Sequence, residues 1–216
     1  MTYLIHTCPK RFWYVKEFLI PSMLEQGISD DDILVYNDIN HNGQLASFLQ
    51  SYSYVKGKDT WHLQDDIIIS KNFRKIAEER QEEIVCGFCN SYSKQQPGQT
   101  NAYNMWYSMP CIRISDKVFS GFLEWMYETE TRKKLRHYFM ENKHDDVFLQ
   151  FYVRERCPQM VIYNVAPNMV NHIDHLIGGS LINKDRDKST AEIMSSYWEE
   201  PELLEELEKS IASNKH

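Results

Sequence analysis

The sequence predicts a mixed α/β protein whose mostly parallel sheet is covered by helices on both faces. Three observations predict it: short apolar runs alternate with amphipathic segments, the runs end in polar residues, and 42% of the 216 residues are hydrophobic. That length suits one domain with a sizeable core.

The elements follow in order. Tyr3-Leu4-Ile5 reads as a first strand, closed by Thr7-Cys8-Pro9. Phe12, Val15, Phe18 and Leu19 then share a helical face that Pro21 disturbs. Ile33 to Tyr36 is a second strand ending at Asn37-Asp38, and Leu45, Phe48 and Leu49 mark a short helix. Trp61-His62-Leu63 leads into Gln64-Asp65-Asp66, after which Ser70 is placed to cap a helix carrying Phe73, Ile76 and Ala77. Ile84 to Phe88 is a further strand. The polar stretch from Asn90 to Asn104 reads as a long loop and a candidate flap. A strand within Met105 to Ile114 follows, then helical patterns from Asp116 to about Met140 and a helix opening at Asp145. Met160 to Tyr163 is a late strand, the chain from Pro167 through Gly178-Gly179 is loop-like, and an acidic helix runs from Pro201 to about Ala212. Residues 1–188 are read as the domain and 189–216 as a helical tail packed on it or extending it.

The net charge of −7 gives no global footprint for nucleic acid. Two local basic groups interrupt it, Arg132-Lys133-Lys134 with Arg136, and Lys184 with Arg186 and Lys188. No stretch approaches the ~20 apolar residues of a membrane span, no signal-peptide pattern opens the chain, and the expected location is cytoplasmic. Five cysteines, scattered and odd in number, do not suggest a disulfide framework. Cys86-Gly87-Phe88-Cys89 has redox spacing, but it lies in or just after a strand rather than at a helix N-terminus, so buried structural thiols are the better reading.

Ligands of a parallel α/β sheet bind outside the carboxyl ends of its strands. Thr7, Asp38 and the Asp65-Asp66 pair all lie just past strand ends. An acidic pair among apolar residues needs a compensating positive charge, and a divalent cation is the usual one.

Trp61 through Ile67, followed by Ser70 and Asn72-Phe73, resembles the metal-binding region of GT-A fold glycosyltransferases, where an acidic triplet closes an apolar strand. Gln64 departs from the family pattern at the first acidic place. Two further segments resemble that family. Asn142 through Phe148 is similar to the acidic motif that opens a helix beneath the acceptor in inverting members, and Ala166 through His175 is similar to a late loop that supplies a histidine to the metal. The resemblance implies a Rossmann-like GT-A sheet in a single domain, with Mn2+ or Mg2+ held by Asp66 and His172. It implies a nucleotide-sugar donor, a UDP-sugar by family habit, with Asp65 facing the ribose or the sugar. Thr7, Arg11 and Asp38, by their position after the first two strands, and Ser180 and Arg186, in and beyond the donor-rich late loop, are placed to contact that donor. It makes Asp146 the base that deprotonates an acceptor hydroxyl, with Asp145 as the alternative. The overall pattern resembles small glycosyltransferase-like proteins encoded by bacteriophages, which makes a hydroxymethylated DNA base one acceptor and a glycan or protein another. Two rival readings are a non-catalytic sugar-nucleotide-binding protein of the same fold and a metal-dependent nucleotidyltransferase. The sequence does not report oligomeric state.

Overall fold

The computed structural model describes residues 1–88, 98–103, 109–135, 145–173, 176–177 and 201–214. Among these residues seven strands form the central sheet: β1 (Thr2–Thr7), β2 (Ile33–Asn37), β3 (Thr60–Gln64), β5 (Ile84–Cys86), β6 (Gly98–Asn101), β7 (Cys111–Ile114) and β8 (Val161–Asn164). Their order is β2-β1-β3-β7-β5-β8-β6. β1 pairs in parallel with β2 and β3, and β5 with β8, while β7 and β6 pair antiparallel with their neighbours. Five strands therefore point one way and two the other, the mostly parallel, Rossmann-like arrangement expected from the sequence. A second, two-stranded sheet joins β4 (Ile67–Ile69) to β9 (Val170–His172).

Strand alternation divides the apolar residues between two cores, one on each face of the sheet. Tyr3, Ile5, Trp61, Leu63 and Val85 pack on one face against α1 (Phe12–Tyr14), α2 (Ile20–Glu25) and α4 (Phe73–Glu79). Leu4, Ile84, Cys86, Ile112 and Ile114 pack on the other against α3 (Gln44–Val55), α5 (Asp116–Tyr127) and α7 (Asp145–Arg156). The last helix, α8 (Pro201–Ser213), buries Ile211 in the first core, with Leu203, Leu204 and Leu207 against it.

Several boundaries depart from the sequence expectation. Pro21 does not break the first helical segment: a π-helical turn over Val15–Leu19 resets the register, so Pro21 falls in the first turn of α2. Ser70 does not cap α4. Its carbonyl accepts from Phe73 N–H, and Asn72 is the residue before the helix. Within the described residues the long helical pattern after Asp116 divides at Glu128, which adopts an extended conformation between α5 and α6 (Thr129–Lys134) and pairs there with Arg156. Part of the expected loop at 90–104 is strand β6, a polar edge strand matched residue for residue to β8. Likewise β9 lies inside the segment read as loop after Pro167.

His6 and His62 meet beneath the carboxyl end of β1. His6 Nε2 and His62 Nδ1 stand 3.1 Å apart among Tyr36, Phe48 and Phe119. Burial holds both rings well below the usual histidine range, His6 at about 4, so the pair is neutral at pH 7. Cys86 and Cys111 are fully buried, and burial pushes the Cys111 thiol up, which leaves it a packing residue rather than a nucleophile.

Candidate functional site

β1 has β2 on one side and β3 on the other, so successive chain crossings leave it in opposite directions. A crevice opens at such a switch point, outside the carboxyl ends of the strands. Thr7 ends β1, and the parallel register sets His6 opposite Gln64, which brings Thr7 level with Asp65. Thr7 Oγ1 donates to Asp65 Oδ2 at 2.8 Å.

Arg11, at the head of α1, turns its guanidinium back over the acidic pair. Its Nη1 donates to Asp65 Oδ1 at 3.0 Å and to Asp66 Oδ2 at 2.6 Å. The three side chains are deeply buried, with Arg11 4%, Asp65 6% and Asp66 7% exposed. Arg11 thus supplies, from within the chain, the positive charge that the sequence reading assigned to a metal.

His172 reaches the same place through the small sheet. Antiparallel pairing sets it opposite Ile67, and Ile173 N–H donates to the Asp66 carbonyl at 2.8 Å. His172 Nε2 then lies 3.2 Å from Asp66 Oδ2. This strap is fastened to the main sheet at Gly87, whose carbonyl accepts from Met169 N–H and whose N–H donates to the Cys111 carbonyl. A side chain at Gly87 has no room: its Cβ would stand 2.5 Å from Cys111 Sγ and 3.0 Å from Met169 Sδ.

The two carboxyls titrate apart. For Asp66, burial acts upward, but His172 and Arg11 outweigh it and hold the group well below the usual carboxylate range. For Asp65, burial and the adjacent Asp66 charge prevail over Arg11, and the group is pushed up. Asp66 is therefore the firm anion of the pair. Its Oδ1 is buried and has no hydrogen-bond partner among the described residues.

No group of three or more His, Cys, Asp or Glu side chains among the described residues is arranged to hold a metal ion. Asp66 and His172 offer two donors and one unsatisfied carboxylate oxygen. That set would fit a hard cation whose remaining ligands are water and other oxygens, the usual situation for Mg2+, and imidazole with carboxylate also suits Mn2+.

Asp38, Asp145 and Asp146 occupy the neighbouring edge. Asp38 N–H donates to the Thr7 carbonyl, so Asp38 sits beside the crevice, but its carboxylate accepts from Asn42 N–H, Asn42 Nδ2 and Ser47 Oγ. These bonds overcome the upward effect of burial and lower its pKa. They fix the loop entering α3. At the head of α3, Gln44 Nε2 donates to Asp145 Oδ1 at 2.6 Å, clasping α3 to the first turn of α7. Asp145 is 4% exposed. Burial, with the Asp146 charge next to it, pushes it up to about 8. Asp146 is less buried, and its Oδ1 accepts from Val147 N–H. Ser180 and Arg186, along with Arg136, Lys184 and Lys188, lie outside the described residues.

Gln44 and Gly87 were not found by sequence reasoning. A glutamine at a helix start and a glycine after a strand carry no distinguishing local signal, since both matter through long-range contacts. A cavity of about 540 Å³ opens at the opposite edge, at the amino ends of β5 and β8, lined in part by Glu83, Lys117 and Arg156. It is remote from the strand ends that carry the charged cluster.

No protein-family model matches the sequence, and no curated protein matches it. Among solved structures, the chain is similar to an inositol-1-phosphate CTP transferase from T. maritima, with 14% identity and a TM-score of 0.44 over 76% of this chain and 84% of that one. It is also similar to a UDP-glucose pyrophosphorylase from Acinetobacter baumanii, with 11% identity and a TM-score of 0.40 over 95% of this chain and 75% of that one. No helix among the described residues is long and apolar enough to cross a membrane.

Proposed function

We propose that the protein is a transferase acting on a nucleotide sugar, and specifically an inverting glycosyltransferase that moves the sugar to an acceptor hydroxyl. The observation that carries this reading is the convergence of Thr7, Arg11, Asp65, Asp66 and His172 at the β1–β3 switch point, with Asp66 Oδ1 buried and unsatisfied. Such a crevice is where an α/β sheet receives a phosphorylated ligand. Arg11 offers a planar fork suited to phosphate oxygens, and Thr7 offers a hydroxyl.

Asp66 and His172 are the residues that would hold Mn2+ or Mg2+. When bound, the cation neutralises the diphosphate leaving group. The acceptor oxygen forms the new bond to the anomeric carbon as the bond to the diphosphate oxygen breaks on the opposite face. A nucleoside diphosphate, UDP in the reading favoured by the family resemblance, departs. The acceptor proton goes to a carboxylate, and Asp146 is assigned that task rather than Asp145. A buried acid that keeps its proton to about pH 8 does not accept one at neutral pH. Asp145 instead anchors the first turn of α7 through Gln44. Ser180 and Arg186 are assigned to the donor from their place in and beyond the late loop of the sequence.

The acceptor is a hydroxyl of a glycan, a protein or a hydroxymethylated DNA base. Lys133 pairs with Glu130 and Lys134 with Glu155, so two charges of this basic group already have acidic partners within the chain. That favours a compact acceptor over an extended nucleic-acid track. The deciding experiment is donor hydrolysis and transfer across a panel of nucleotide sugars, with Mn2+ and with a chelator. Metal-dependent release of a nucleoside diphosphate from one donor is expected. Binding of a donor with no turnover in the presence of acceptor hydroxyls would favour a binding protein, and release of inorganic pyrophosphate from a nucleoside triphosphate would favour nucleotidyl transfer.

A further inference from the structure

We propose that Arg11 is a resident counter-cation that competes with the divalent metal for Asp66 Oδ2, so that the metal binds weakly until a diphosphate draws Arg11 away. This rests on the metal site just assigned to Asp66 and His172.

The geometry supports exclusion. Two ligands ~2.1 Å from a metal and at right angles to each other stand about 3 Å apart, and His172 Nε2 stands 3.2 Å from Asp66 Oδ2. The pair already has the separation of two neighbouring ligands of one ion. Arg11 Nη1, however, is 2.6 Å from that same Oδ2 and 3.0 Å from Asp65 Oδ1. A divalent cation on Oδ2 would face a guanidinium a few ångströms away in a buried setting, where like charges repel strongly. A diphosphate resolves the conflict, because it brings negative charge and gives the guanidinium fork a second partner of matching shape. Diphosphate and metal then bind with positive coupling, and the coupling is reciprocal.

The test uses the full chain and reads Mn2+ binding by calorimetry, with and without UDP. In wild type, UDP is expected to tighten Mn2+ binding on the order of tenfold or more, within the usual range of coupling between sites. In Arg11→Met, Mn2+ alone is expected to bind on the order of tenfold tighter than to wild type, and UDP to add little. Removing one partner of a buried ion pair is destabilising, so Arg11→Met is also followed by thermal unfolding. Rescue by Mn2+ that exceeds the effect of Mn2+ on wild type supports the proposal. Should Arg11→Met fail to fold even with Mn2+, Arg11→Lys carries the test, its more weakly engaged charge giving a smaller shift in the same direction. If UDP promotes Mn2+ binding to wild type but the Arg11 variants bind Mn2+ alone no better than wild type, competition is overturned while the metal site stands. If Mn2+ binds neither protein under any of these conditions, the metal site itself fails and the proposal with it.

Discussion

Asp146→Asn is expected to bind the nucleotide-sugar donor normally and to transfer the sugar about 10²–10⁴-fold more slowly, the usual worth of a positioned base. The substitution keeps the shape of the side chain. It also keeps an oxygen to accept from Val147 N–H at the start of α7, so the helix entry is preserved. The chemical loss is the capacity to take the acceptor proton. Single-turnover transfer combined with donor titration separates the two effects. An unchanged affinity with a slower chemical step identifies removal of an interaction made in the transition state. Transfer at the wild-type rate would exclude Asp146 as the base.

Asp145→Asn is expected to stabilise the protein at alkaline pH by on the order of 5 kcal/mol, since each unit of pKa difference is worth about 1.4 kcal/mol. The folded-state pKa of about 8 lies above the ordinary carboxyl value of 3.8. Below that ordinary value the carboxyl is neutral in both states and costs nothing. As pH rises through the window from about 4 to 8, the unfolded chain ionises first, and the native state loses stability progressively. Above about 8 the whole penalty is present. Asparagine removes it while retaining an oxygen to accept from Gln44 Nε2 and from Asp146 N–H. Urea unfolding at several pH values gives the comparison: the two proteins should converge toward pH 4 and separate toward pH 9. Parallel stability curves would show that Asp145 ionises in the folded protein as it does in solution.

The fold was legible where residue type and spacing act locally. The apolar runs at β1, β2, β3 and β5 appear as strands close to their expected places, and Asp145 opens a helix as the sequence suggests. The misread segments are those whose structure is imposed from elsewhere. β6, with the sequence Gly98-Gln99-Thr100-Asn101, has no apolar alternation and is a strand because β8 offers it an edge. β9 is three residues long, too short for any period to show, and exists because Ile67–Ile69 pairs with it.

The site divides in the same way. Strand ends placed Thr7 and the Asp65-Asp66 pair on one edge of a parallel sheet, a topological consequence that a sequence can convey. The resemblance to glycosyltransferases pointed to His172, and the β4–β9 pairing is the physical means by which a residue so distant in sequence comes beside Asp66. The neutralisation of the acidic pair by Arg11 was not legible. A buried acid pair demands a positive partner, but nothing in the local sequence distinguishes an arginine from a metal ion in that part. The Gln44–Asp145 clasp was equally hidden, since it joins two helix starts that no sequence pattern relates.

In the proposed function, the crevice between β1 and β3 receives a nucleoside diphosphate together with a divalent cation. Calorimetric titration of UDP into wild type and Asp66→Asn, each with Mn2+ and with a chelator, tests it most directly. Wild type is expected to bind UDP at least about tenfold more tightly with Mn2+ than without, in keeping with ordinary coupling energies, and Asp66→Asn is expected to lose that difference. UDP binding that ignores both Mn2+ and the loss of the Asp66 charge, or no binding in any of the four titrations, would contradict the account.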